Sequence, residues 1–161
     1  MTIDTVKLDF PTNCNIIIGQ SHFIKTVEDI AEIMMNSVPG VKFGLAFCEA
    51  SGPCLVRTEG TDPYLVEVAQ KMAMAVRAGH SFYLVIGPGA YPLNVLDRIK
   101  ANPETCRIFC ATANPVEVVR AIIDQGAAIL GVVDGFSPKG VESAEDKIAR
   151  KAMLREFGYK F

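Results

Sequence analysis

The chain has 161 residues, a formal net charge of −2, 50% hydrophobic and 21% charged residues. That length fits one domain spanning residues 1–161, and the composition is that of a folded chain rather than a disordered tail. The mildly acidic balance argues against a domain whose work is to neutralise nucleic-acid phosphates. No apolar run approaches the roughly 18 residues of a membrane helix, and the start MTIDTVKLDF lacks a signal-peptide pattern. A cytoplasmic protein with no nucleic-acid or membrane partner is therefore expected.

In chain order, Val6–Phe10 alternates like a strand and Cys14–Ile18 reads as another, ending in the turn Gly19-Gln20-Ser21-His22. A helix follows, with Thr26 as N-cap and Asp29 three residues on as a variant capping box. Its apolar positions Val27, Ile30, Ile33, Met34 and Val38 recur at helical spacing, and Pro39-Gly40 ends it. Val41–Cys48 and Cys54–Thr58 read as a hairpin. Asp62 caps and Pro63 starts a second helix that stops at Gly79. His80–Ile86 is an apolar strand, and a helix begins near Pro92. Cys106–Ala111 is a strand. Asn114 caps and Pro115 starts another helix, which Gly126 ends. Ala127–Val133 is a fully apolar strand, and Ser143 with Asp146 caps a last helix ending near Gly158. Apolar strands alternating with capped helices from residue 80 predict an α/β fold: one domain with a mixed, partly parallel β-sheet covered by helices.

In such a sheet, ligands bind where loops leave the C-terminal ends of the strands. Three loops qualify: Gly87–Tyr91, Thr112–Asn114 and Asp134–Gly140. The turn Gly19–His22 has the same strand-to-helix character, so these turns are expected to converge on one rim.

Several chemistries lack their motif. There is no GxxxxGK[ST] phosphate loop, and proline interrupts the GxG of Gly87–Gly89 as a dinucleotide fingerprint. No GxSxG elbow or HExxH is present. With two histidines and no CxxC, no metal site is expected. The five cysteines are read as buried thiols, although a Cys48–Cys54 bond across the hairpin is conceivable. Cys106 and Cys110 would share one strand face about 13 Å apart, too far for a bridge.

What remains is a compact cleft able to hold an anion, with an imidazole nearby. His22 sits among Gly19, Gln20 and Ser21, where small and polar groups allow close approach; His80 opens a strand beside Ser81. Gly87-Pro88-Gly89-Ala90 could form a nest of N–H groups before a helix, or be only a tight turn. Asn114 is as readily a helix cap as a contact. Glu49 and Lys139 are by default solvated charges.

The runs GQSHFIKTVED (19–29), AGHSFYLV (78–85), CRIFCATANPVEVV (106–119) and GAAILGVVDGFSPKGVE (126–142) together resemble the small prokaryotic family of adenosine-specific kinases. The resemblance spans essentially the whole chain. It implies a homo-oligomer, specifically a trimer, that binds adenosine and AMP rather than ADP or ATP. No other cofactor is expected. It also implies a histidine that carries a phosphoryl group, corresponding to His22 or His80, with His22 preferred for its place in GQSHF. On that basis Asp134 or Glu49 could fix the imidazole tautomer, and the Gly87–Ala90 N–H groups and Lys139 could stabilise the transferring group. Phe23, Phe47 and Tyr91 would wall the adenine. The alternative is a non-catalytic sensor of adenosine and AMP.

Overall fold

The apolar stretches Asn15–Ser21 and Ser81–Ile86 lie side by side as antiparallel strands, and Ile16, Ile17, Ile18 and every residue from Ser81 to Ile86 are buried. Strands buried on both faces need cover on both sides, and that need organises the molecule. The computed structural model describes Met1–Phe161 throughout. Its elements are β1 (Thr2–Leu8), β2 (Asn15–Ser21), α1 (Thr26–Ser37), β3 (Phe43–Cys48), β4 (Val56–Gly60), α2 (Pro63–Val76), β5 (Ser81–Ile86), α3 (Pro92–Ala101), β6 (Thr105–Thr112), β7 (Val116–Ile123), β8 (Gly126–Asp134) and α4 (Ala144–Glu156).

The fold is α/β in one domain, as expected, but its strands form two sheets, ordered β4-β3-β5-β2-β6 and β1-β7-β8. Every strand pair is antiparallel. The expected partly parallel sheet is therefore corrected; the one parallel contact is an isolated bridge between Ala78 and Ala127. The cause is the segment after Pro115. Val116–Ile123 is rich in β-branched residues and pairs on both sides as β7, where a helix was expected. Asn114-Pro115 is a turn rather than a helix start, and Asp124-Gln125 turns a hairpin rather than ending a helix.

Alternation along the five-stranded sheet separates two cores. Ile16, Ile18, Ala46, Tyr83 and Val85 pack with α2 residues Leu65, Val68, Ala69, Met72 and Val76 and with Val116 and Val118 of the smaller sheet. Ile17, Phe43, Leu45, Phe47, Phe82 and Leu84 pack with Val27, Ile30 and Met34 of α1 and Val95 and Ile99 of α3. Helix α2 approaches so closely that a Cβ on Gly44 would lie 2.1 Å from the Leu65 carbonyl carbon.

Helix caps follow the sequence in two cases. Asp62 accepts from the N–H groups of Tyr64 and Leu65, and Ser143 and Asp146 form a reciprocal box. At α1 the expected cap is corrected: Thr26 is already helical, and its hydroxyl donates to the Phe23 carbonyl at 2.6 Å. The Thr26 and Val27 N–H groups are satisfied by the Phe23 and Ile24 carbonyls, so no side-chain cap is needed. All five cysteines are free thiols; Cys14, Cys48 and Cys110 are buried, whereas Cys54 and Cys106 are exposed, against expectation. Two register shifts in the β2–β6 pairing break the alternation between Cys106 and Cys110. Burial pushes the Cys110 thiol up to about 12.

Arg120 of β7 fastens the small sheet to the body. It forms a two-pronged ion pair with Asp4 of β1 at 2.7 and 3.0 Å, and donates to the Ala75 and Val76 carbonyls at the end of α2. Its guanidinium hydrogen bonds hold the Asp4 carboxyl below its ordinary value. A lowered folded pKa means that the pair stabilises fully above the unfolded carboxyl value of about 3.9 and fades as pH falls through the folded value. Asp4→Asn should therefore lower Tm at neutral pH, with the gap from the parent closing near pH 2, as calorimetry across pH will read. Gly44→Ala, which forces a methyl group into the α2 backbone, should cost about 1–3 kcal/mol or more in denaturant unfolding.

Candidate functional site

Antiparallel pairing sets the C-terminal end of β2 against the N-terminal ends of β5 and β6, with Gln20 opposite Ser81 and Ser21 opposite Thr105. Phe47, at the end of β3, faces Phe82. One end of the five-stranded sheet thus collects Gly19, Gln20, Ser21, His22, Phe23, Phe47, Glu49, His80 and Ser81. The Ser21 N–H donates to the His80 carbonyl at 3.0 Å, and the His22 N–H donates to the Glu104 carbonyl at 3.1 Å. Both histidines therefore belong to one backbone junction.

Gly87, Gly89, Tyr91, Asn114 and Asp134 lie at the opposite end, beyond Ile86 and Thr112. At about 3.4 Å per residue, the seven steps from His80 to Gly87 span roughly 24 Å, farther than one nucleoside monophosphate bridges. The expected convergence on one rim is corrected, because antiparallel neighbours send successive loops to opposite ends.

Local chemistry sorts these residues further. The Gly87 N–H donates to the Lys42 carbonyl at 2.8 Å and the Tyr91 N–H to Asn94 Oδ1 at 2.9 Å, while Pro88 has none. Within the Gly87–Ala90 turn the Gly87 N–H is thus already engaged, and only the Gly89 and Ala90 N–H groups are left to face an anion. Asn114 and Asp134 hydrogen-bond each other at 3.2 Å, tying the β6–β7 turn to the end of β8. Lys139 is exposed in the segment after β8. Glu49 Oε2 accepts from the Leu55 N–H and from Arg57, both at 3.1 Å, and so closes its own hairpin. The buried Ser81 hydroxyl bonds the Ala78 carbonyl and the Tyr83 hydroxyl, and burial raises the Tyr83 phenol above its usual value. Gly19 makes room for a neighbour, since a Cβ there would lie 2.3 Å from the Phe82 ring.

His22 and Phe23 are exposed where β2 gives way to α1. His80 is half-buried, in a left-handed conformation (φ +60°), its ring stacked on Phe47 at 5.9 Å. A non-glycine residue in that region marks a constrained position. Gln20 is half-buried on β2.

The structure adds Glu104 and Lys25. Glu104 is 4% exposed. Its Oε1 lies 3.5 Å from Lys25 Nζ, which also pairs with Asp29 at 3.2 Å. These bonds, Asp29's first, raise the Lys25 ammonium above its usual value. Glu104 Oε2, Ser21 Oγ, Asn102 Nδ2 and Thr105 Oγ1 are all buried without a hydrogen-bond partner. Unpaired buried polar atoms are costly, and such a concentration suits an ordered water or a polar ligand group. In the sequence, Glu104 stood in the Asn102-Pro103-Glu104 turn with no signal separating it from a solvated acid. No group of three or more His, Cys, Asp or Glu side chains forms a metal cage.

A fold with one α/β domain and a histidine junction at a sheet end defines the class, and comparison narrows it. The family model described as adenosine specific kinase matches residues 6–160, and the chain belongs to that family. A crystal structure of the PH1918 protein from Pyrococcus horikoshii OT3 is 39% identical, with a TM-score of 0.95 over 99% of this chain and 98% of that one. No curated protein matches the chain. No helix is long and apolar enough to cross a membrane.

Lys25→Met should lower Tm by stripping the buried Glu104 carboxylate of its cation. Adding Glu104→Gln should recover part of that loss, and a thermal double-mutant cycle measures the coupling.

Proposed function

We propose that the histidine end of the five-stranded sheet binds adenosine and AMP in preference to ADP and ATP, and that His22 carries a phosphoryl group between donor and nucleoside. The observation that carries this reading is the junction itself. His22, exposed at the end of β2, bonds through its N–H to the Glu104 carbonyl, and Glu104 brings a lysine-paired buried carboxylate and a set of unpaired buried polar atoms to the same junction, in a chain of the adenosine-specific kinase family. Those polar atoms suit the hydroxyl groups of a ribose, and exposed Phe23 offers a face for a base. The lack of a Walker loop agrees with poor use of ATP as a ligand.

In the transfer, an unprotonated ring nitrogen of His22 attacks phosphorus of a phosphoanhydride or phosphate-ester donor. A P–N bond forms, the donor P–O bond breaks, and the donor leaves as its anion. The adenosine 5′ hydroxyl then attacks the same phosphorus. Its proton passes to solvent or a nearby carboxylate, the P–N bond breaks, and AMP departs. Lys25 offsets charge on the transferring group. The active form is a homo-oligomer, a trimer by family likeness, working in the cytoplasm.

Intact-mass spectrometry after incubation with a panel of donors should show one added phosphoryl group that is lost in acid. His22→Ala should abolish it, with adenosine binding retained within about tenfold by calorimetry, whereas His80→Ala should keep it. An adduct surviving His22→Ala but not His80→Ala would assign the role to His80. Binding without AMP formation from any donor would leave a sensor.

A further inference from the structure

Five of the chain's seven arginines donate to protein oxygens: Arg57 to Glu49, Arg98 to Ser37, Arg120 to Asp4, Arg150 to Glu142 and Arg155 to the Lys151 carbonyl. The side chains of Arg77 and Arg107 engage no protein group. Arg77 ends α2 on the wall of a cavity of about 780 Å³ between the β3–β4 and β7–β8 hairpins. Arg107 lies on β6 at the histidine end of the sheet. It is directly opposite Gln20, which precedes His22 by two residues.

The strands are irregular at this point. The β2–β6 register shifts between Ile18 and Gly19 and again between Gln20 and Ser21, so the Gly19–Ile108 and Gln20–Arg107 pairs are bracketed by irregularities. Such bulges re-aim side chains and gather beside active sites. Gly19 lets the two strands close here, since a Cβ on it would lie 2.8 Å from the Arg107 carbonyl oxygen. Opposed residues share a face of the sheet, with Cβ atoms about 5 Å apart. Half-buried Gln20 and exposed Arg107 thus set an amide beside a guanidinium, and neither side chain bonds to another protein group.

Charge at this end calls for a second cation. Asp29 and Glu104 share the single ammonium of Lys25. A phosphate dianion arriving at His22 therefore meets excess negative charge unless another cation faces it. A planar guanidinium suits that task, offering two parallel N–H groups to two phosphate oxygens. We propose that Arg107 is the phosphate-binding residue of this site and holds the phosphate of AMP. The inference rests on the reading that the histidine end binds adenosine and AMP. It adds a group that separates the two ligands, since adenosine has no phosphate for Arg107 to hold.

Calorimetric titration with adenosine and with AMP, on the parent, Arg107→Gln, Arg107→Lys and Arg77→Gln, tests the assignment. The parent should bind both ligands, with AMP affinity falling as salt rises. Arg107→Gln should weaken AMP at least about tenfold and flatten its salt dependence, while adenosine stays within about threefold. Arg107→Lys should recover part of the AMP affinity, because an ammonium keeps the charge without the fork. Arg77→Gln should leave both affinities as in the parent. Arg107 is exposed and outside both cores, so circular dichroism and Tm should match the parent. A charge kept on β6 only to discourage edge pairing would be indifferent to either ligand. Unchanged AMP affinity in Arg107→Gln, equal loss of both ligands there, or loss of AMP in Arg77→Gln instead would each overturn the assignment while leaving the nucleoside reading intact. A parent that binds neither ligand would overturn that reading and this inference together.

Discussion

Arg120 ties the three-stranded sheet to the end of α2, the helix packed on the five-stranded sheet. A five-stranded sheet with buried central strands needs cover on both faces. Helices α1 and α3 supply it on one side, and α2 with the three-stranded sheet on the other. Apolar packing alone is non-directional. The guanidinium adds direction, because its planar fork meets Asp4 while its remaining amine reaches the last carbonyls of α2. One side chain thus joins β1, β7 and a helix terminus whose carbonyls would otherwise lack partners.

The same antiparallel logic creates the candidate site. Strand β2 runs between β5 and β6 and opposes both, so its final residues meet the first residues of each. Ser21, His22, His80, Glu104 and Thr105 come from three distant parts of the chain and share one junction through backbone hydrogen bonds. The helix side of that junction provides Lys25 at the start of α1. At the opposite end of the sheet Gly87 is bonded to Lys42 and Asn114 to Asp134. The buried polar side-chain atoms without a partner, on Ser21, Asn102, Glu104 and Thr105, gather at the histidine end.

The C-terminal arm carries the contrast to the whole molecule. The body satisfies its apolar surface internally through two cores, while the arm and the cavity near α2 are left with apolar surface facing outward.

Local sequence determined much of this. Asp62-Pro63 and Ser143-x-x-Asp146 specified helix starts, because a cap is settled by atoms within four residues. The apolar runs of β2, β5 and β8 specified strands, and the motifs around His22 and His80 carried the family. Tertiary structure decided the rest. Val116–Ile123 has an Asn-Pro start and a glycine end that suit a helix, yet pairing with β1 and β8 makes it a strand. Strand direction and order are non-local, so the end of the sheet to which Gly87, Asn114 and Asp134 belong was not written in any one segment. Nor was the place of Glu104, since a carboxylate becomes buried, with one oxygen on Lys25 and the other without a partner, only through what packs around it.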